Sequence, residues 1–100
     1  MRDGSFAQET LPSGLRVASE HLPQAETIAL GLWLQAGPLY ESASTCGLCH
    51  LLEHCLFKGA GSRDTRELAL AADELGGDLD GVTEREFTAL EARVVPEDLE

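Results

Sequence analysis

Basic residues are scarce in this chain. Seven Lys and Arg stand against 18 Asp and Glu, leaving a net charge of −11 over 100 residues. That shortage argues against nucleic acid as a partner, because neutralising phosphates takes clustered Lys and Arg. The excess acid keeps a small domain soluble, and it would also draw in basic peptides. No apolar run approaches the roughly 20 residues of a membrane span, so no membrane partner is expected. The opening residues, MRDGSFAQETLPSG, hold neither an apolar core nor an Arg-rich amphipathic stretch. Neither a secretory signal nor a transit peptide is expected, which favours a cytoplasmic location; a processed organellar form with its leader removed fits the same sequence. Three cysteines cannot all pair, which argues for reduced thiols rather than a disulfide framework. Methionine occurs once, as Met1, and aromatics make up only 5% of the chain.

What remains is an ordinary globular composition, long enough for one modest core. AQETLPSGLRVASEHL reads as two extended runs around a turn at Pro12, Ser13 and Gly14. In ETIALGLWLQAG, Ile28, Leu30, Leu32 and Leu34 share one side, with Ala29, Gly31 and Trp33 on the other. Both sides are apolar enough to predict a central strand covered on both faces. A helix is predicted from Ser44 or Thr45, either of which could cap it, to about Lys58, with Gly59 and Gly61 supplying the stop. A second helix follows in GSRDTRELALAADELGG. Ser62, Asp64 and Thr65 compete for its cap, Leu68, Ala71, Ala72 and Leu75 form its apolar stripe, and Gly76-Gly77 close it. Leu79 and Val82 belong to a short run, and the alternation from Phe87 to Val95 suits a sheet strand. PEDLE looks like the first turn of another helix. A domain rarely ends inside a helical start, so the chain is expected to be one incomplete domain over residues 1–100.

The stretch TCGLCHLLEHCLFKG carries two motifs that share one histidine. Cys46, Cys49 and His50 spell C-x-x-C-H, the attachment pattern of c-type haem. His50, Glu53 and His54 spell H-x-x-E-H. On a helix these three residues project from one face, one turn apart. Two imidazoles could then hold a metal while a carboxylate reaches water activated by it. Leu48, Leu51, Leu52, Cys55 and Leu56 make the helix apolar nearly all round, so burial is expected. A buried His-Glu-His cluster would need a neutralising partner, and a metal is one. The haem reading is remote: Met1 is the only methionine to serve as second axial ligand, although His21 or His54 could substitute. A structural zinc site from Cys46, Cys49, His50 and Cys55 is a third reading. The simplest reading of the cysteines is packing as small hydrophobes.

GLCHLLEHCLFKG resembles the zinc helix of the pitrilysin, insulysin and mitochondrial processing peptidase family, the inverzincins, which carry H-x-x-E-H. LPSGLRV resembles that family's opening strand, and IALGLWLQAGPLYE its next strand with the acidic residue after it. FKGAGSRDTRELALAADELGGDLDGVTEREFTALEARV resembles the downstream helix, Gly-Gly turn and strand. The similarity runs from about Glu9 to Asp98. It implies an α+β fold, the N-terminal part of a pitrilysin-type domain, with an antiparallel-rich sheet packed against helices that include the H-x-x-E-H helix. It implies Zn2+ as cofactor, His50 and His54 as ligands, Glu53 as general base, and a metalloendopeptidase acting on peptides or unfolded polypeptides.

The strand around Val82 to Phe87 resembles the one beside bound peptide, which would add to the sheet edge. Asp80 and Gly81 are the implied substrate contacts, in LDGVT where the family tends to read L-N-A-x-T. Asp80 replaces an asparagine that helps hold substrate backbone, and an ionised Asp donates no hydrogen bond. Leu90 stands where an aromatic is common. The family's third ligand is a glutamate well beyond Glu100; Glu84, Glu86 and Glu91 are out of register with that role. The 100-residue chain alone is therefore expected to be inactive, and homo- or hetero-dimers would form through further domains. The alternative is a non-catalytic family partner or structural subunit.

Overall fold

The computed structural model describes residues 4–99; Met1, Arg2, Asp3 and Glu100 lie outside the described residues. Two strands, β1 (Ser5–Thr10) and β2 (Arg16–His21), form an antiparallel hairpin in which Ser5 faces His21 and Thr10 faces Arg16. Its turn lies where Pro12, Ser13 and Gly14 predict it. The Leu11 amide donates to the Leu15 carbonyl at 2.8 Å, and Gly14 takes a φ of 87°, the left-handed conformation that suits glycine.

The central sheet has three antiparallel strands: β3 (Ile28–Leu34), β6 (Asp78–Thr83) and β7 (Thr88–Val94), in the order β3-β7-β6. Leu30 faces Ala92, and Leu32 faces Leu90. Across the other pairing Leu79 faces Ala92, Gly81 faces Leu90 and Thr83 faces Thr88. Among the described residues, three of the four that are buried sit on central β7, Thr88, Ala89 and Val94; the fourth is Gly37, after β3. The Thr88 hydroxyl donates to the Ala36 carbonyl at 2.7 Å, which satisfies its one buried polar group.

Between β3 and β6 the chain forms a 3-10 turn at Pro38–Tyr40, helix α1 (Leu48–Leu56), a two-residue ladder of β4 (Gly59–Ala60) with β5 (Arg63–Asp64), and helix α2 (Thr65–Glu74). Helix α2 is capped by Asp64, one of the three candidates. Its carboxylate accepts the Glu67 amide at 2.8 Å while Glu67 Oε2 accepts the Asp64 amide at 2.9 Å. Such a reciprocal box stabilises a helix by about 1 kcal/mol. Its stripe, Leu68, Ala71, Ala72 and Leu75, is half-buried as predicted.

The structure corrects several expectations. Strand β3 is neither central nor covered on both faces: it lies at one edge of the three-stranded sheet, with β7 in the centre, and Leu30, Leu32, Leu34 and Trp33 are all exposed. The reason is that α1 packs against the far strand, β6, and leaves the β3 leucine row open. Nor is α1 buried all round; Leu51 is 60% exposed and Leu52 53%. The helix begins at Leu48, not at Ser44 or Thr45. Those hydroxyls are used locally: the Ser42 amide donates to Thr45 Oγ1 at 2.8 Å and the Ser42 and Ser44 hydroxyls pair at 2.9 Å. It ends at Leu56, and Gly59 belongs to the small ladder after it.

Gly76-Gly77 stop α2 without a left-handed residue, since Leu75 is already extended. Gly77 serves a different need: a Cβ there would lie 1.7 Å from the Arg93 carbonyl oxygen. The segment 82–87 is not one strand. β6 ends at Thr83 and the next four residues turn, closed by the Glu84 amide on the Phe87 carbonyl at 2.8 Å. Pro96–Asp98 is a single 3-10 turn rather than the start of an α-helix. Asp98 turns back instead, and its Oδ2 accepts the Gly76 amide at 2.8 Å.

Candidate metal centre

Helix α1 carries His50, Glu53 and His54. His50 and His54 are one turn apart, so their rings meet on one face. Their Nε2 atoms are 3.0 Å apart and their ring centroids 4.7 Å. Two imidazoles on a tetrahedral zinc, with bonds of about 2.0–2.1 Å, place their nitrogens roughly 3.3 Å apart. The pair is within a few tenths of an ångström of that spacing, and both rings are exposed, so a metal ion fits the donor set. Among the described residues no group of three or more His, Cys, Asp or Glu side chains gathers as a metal site. Glu84, Glu86 and Glu91 do not join the histidines, and neither do Cys46, Cys49 and Cys55.

Glu53 has a partner of its own on the sheet. It is half-buried against the sheet, and its Oε2 accepts a hydrogen bond from the Thr83 hydroxyl at the end of β6. Gly81 makes that approach possible. A Cβ at Gly81 would lie 2.9 Å from Phe57 Cε2 and 3.1 Å from Glu53 Cγ, tight enough to force the helix or its side chains to move.

The start of α1 is fixed by Glu41. Gly47, the cap residue, has φ 85° and no side chain to offer. Instead Glu41 reaches across: Oε2 accepts the Gly47 amide at 2.6 Å and Oε1 the Cys49 amide at 2.8 Å. Two of the unpaired amides at the helix start are thereby satisfied. The Cys49 amide, then that of Gly47, hold the Glu41 carboxyl below its ordinary range. Burial pushes the Cys49 thiol up, and the hydrogen bond and charge of Glu41 add to this. Of the cysteines only Cys49 is half-buried; Cys46 and Cys55 are exposed, so packing accounts for one thiol of the three.

The edge of the sheet lies beside this helix. The Glu84–Phe87 hydrogen bond closes the hairpin. Antiparallel pairs alternate, so Thr83/Thr88 and Gly81/Leu90 are non-hydrogen-bonded pairs. The main-chain groups of Gly81 and Thr83 therefore face away from β7. β6 has no further strand beside it among the described residues. Asp80 Oδ1 accepts the outward Gly81 amide at 2.8 Å.

The sequence profile of the insulinase family, peptidase family M16, matches residues 16–100. This chain belongs to the insulinase family. An M16 relative from Mycobacterium leprae, described as an uncharacterized zinc protease, is 40% identical over 99 residues, covering 99% of this chain and 22% of that protein. A probable mitochondrial-processing peptidase subunit beta from Arabidopsis thaliana is 44% identical over 86 residues, covering 86% of this chain and 16% of that protein. The chain thus spans about a fifth of the length of the curated relatives it matches. In fold it superposes on the crystal structure of a protease from Helicobacter pylori with a TM-score of 0.85 at 24% identity, over 95% of this chain and 23% of that one.

Within this M16 chain the sequence brings His50 and His54 together but does not announce two residues that hold the site. Glu41 lies six residues before the amide of Gly47 and outside any capping pattern. Thr83 lies 30 residues from Glu53. The only signal for Glu41 is its place after the strand in IALGLWLQAGPLYE.

Proposed function

We propose that this chain carries the histidine pair and the general base of a zinc-dependent metalloendopeptidase, and that it works within a longer polypeptide. The observation that carries this reading is the 3.0 Å approach of His50 and His54 Nε2 on the helix that also holds Glu53. His50 and His54 would hold the ion, with a third ligand supplied by residues outside this chain. Zinc, when bound, acts as a Lewis acid that activates water near neutral pH and polarises the scissile carbonyl. Glu53 takes the proton of the attacking water on its carboxylate and returns it to the departing amine. An extended peptide would line the open edge of β6, meeting the outward main chain of Gly81 and Thr83. The Asp80 carboxylate must leave the Gly81 amide to make room, so Asp80 weakens docking there. The substrate is a peptide or unfolded polypeptide, because a folded chain cannot present an extended strand to this edge.

The test uses the longer polypeptide and a quenched peptide. Glu53→Gln keeps the shape of the side chain and removes its basicity. It should bind zinc as the parent does and lose at least about 100-fold in kcat, as the loss of a general base costs. An active Glu53→Gln enzyme would remove Glu53 from the chemistry.

A further inference from the structure

Thr83 sits at the end of β6 and is half-buried beneath α1. Its hydroxyl donates to Glu53 Oε2; an ionised carboxylate can only accept, so the direction is fixed. Glutamate has three rotatable side-chain bonds, and an unheld carboxylate would spread over several rotamers. Here one oxygen is tied and the other, Oε1, is left to receive a proton.

The tie is anchored at both ends. Thr83 faces Thr88, whose own buried hydroxyl holds the Ala36 carbonyl at 2.7 Å, so the hairpin end is fixed to the body of the sheet. Two positions earlier, Gly81 leaves the space that lets Glu53 Cγ approach the strand. Thr83 itself turns its main chain to the open edge. Thr83 therefore touches both the base and the line along which a peptide would dock.

We infer that Thr83 is a positioning residue for the general base, holding the Glu53 carboxylate through its hydroxyl and tying it to the peptide-docking edge. This rests on the reading of Glu53 as base. The consequence is a loss confined to the chemical step: without the hydroxyl Glu53 still exists and zinc still binds, but the carboxylate is in place less often.

The experiment compares Thr83→Val, Thr83→Ser and Glu53→Gln in the longer polypeptide, each with zinc content and melting temperature recorded. Thr83→Val should lose about 10–100-fold in kcat, the usual cost of removing an outer partner of a catalytic group. Its KM should change less than about threefold and its zinc content should stay at the parent level. Thr83→Ser, which keeps the hydroxyl, should recover kcat to within a few-fold. If Thr83→Val does not fold, Thr83→Ala replaces it against Thr83→Ser, with the same split expected. A kcat retained without the hydroxyl, or a serine variant as slow as valine or alanine, overturns the positioning role. The glutamine variant separates the two readings: if it is inactive while the hydroxyl proves dispensable, the base stands and only the positioning falls. If it is active, the base itself falls.

Discussion

At the scale of the residue, two imidazoles one helical turn apart converge on α1, and the carboxylate of Glu53 on the same helix is tied to Thr83. The convergence of His50 and His54 is legible in the sequence, because residues four apart on a helix share a face. The flanking resemblance is what favours His50 as the partner of Glu53 and His54 over Cys46 and Cys49. Their partners were not legible. Glu41 and Thr83 act across turns and across a strand pairing, and no local pattern encodes a contact made 30 residues away. The role of Gly81 was equally hidden, since it depends on how near β6 comes to Glu53. The pair of rings makes a direct prediction. His54→Ala leaves one imidazole where two converge at 3.0 Å, so zinc affinity in the longer polypeptide should fall by at least about 10-fold. Metal content after dialysis checks it, and stoichiometric zinc in the variant would exclude His54 as a ligand.

At the scale of the element, helix α1 owes its start to a residue that precedes its cap, Gly47, by six positions. Sequence reasoning placed the cap at Ser44 or Thr45 because hydroxyls before an apolar run usually cap. Ser42, Ser44 and Thr45 satisfy one another instead, and Glu41 takes over. Its carboxyl is held below the ordinary value of 4.5 by the Cys49 and Gly47 amides. A lowered folded pKa means the ionised form is favoured by folding. The contribution is present above that ordinary value and is lost as pH falls through the lowered one. Wild type should therefore lose helix stability as pH falls below that ordinary value, and Glu41→Gln should start less stable and show a flatter dependence there. Melting curves by circular dichroism across that range give the answer; parallel slopes for the two proteins would show that Glu41 contributes nothing through its charge. By contrast the cap of α2 falls on one of the three residues that the sequence leaves competing, Asp64, and the reciprocal bonds with Glu67 single it out.

At the scale of the whole molecule, most helices and strands lie where the alternation and turn signals put them, while strand order and burial do not follow from those signals. The sequence pattern of β3 calls for cover on both faces, yet Leu30, Leu32 and Leu34 are 44–47% exposed and Trp33 59%. The Cα radius of gyration is 16.1 Å, against about 13 Å for a compact chain of 100 residues. Periodicity reports which surfaces want a partner, not whether the partner lies in the same 100 residues. An apolar sheet face and an apolar helix face left open are a liability for a free monomer. With only two imidazoles in place and this much apolar surface open, the isolated chain should hold zinc weakly and cleave no peptide.

Hydrolysis of a quenched peptide by the longer polypeptide, before and after chelation and with zinc restored, tests the account most directly when the isolated 100-residue chain is assayed beside it. Turnover by the longer polypeptide should stop on chelation and return with zinc, and the isolated chain should show none. Turnover that survives complete removal of metal would contradict it.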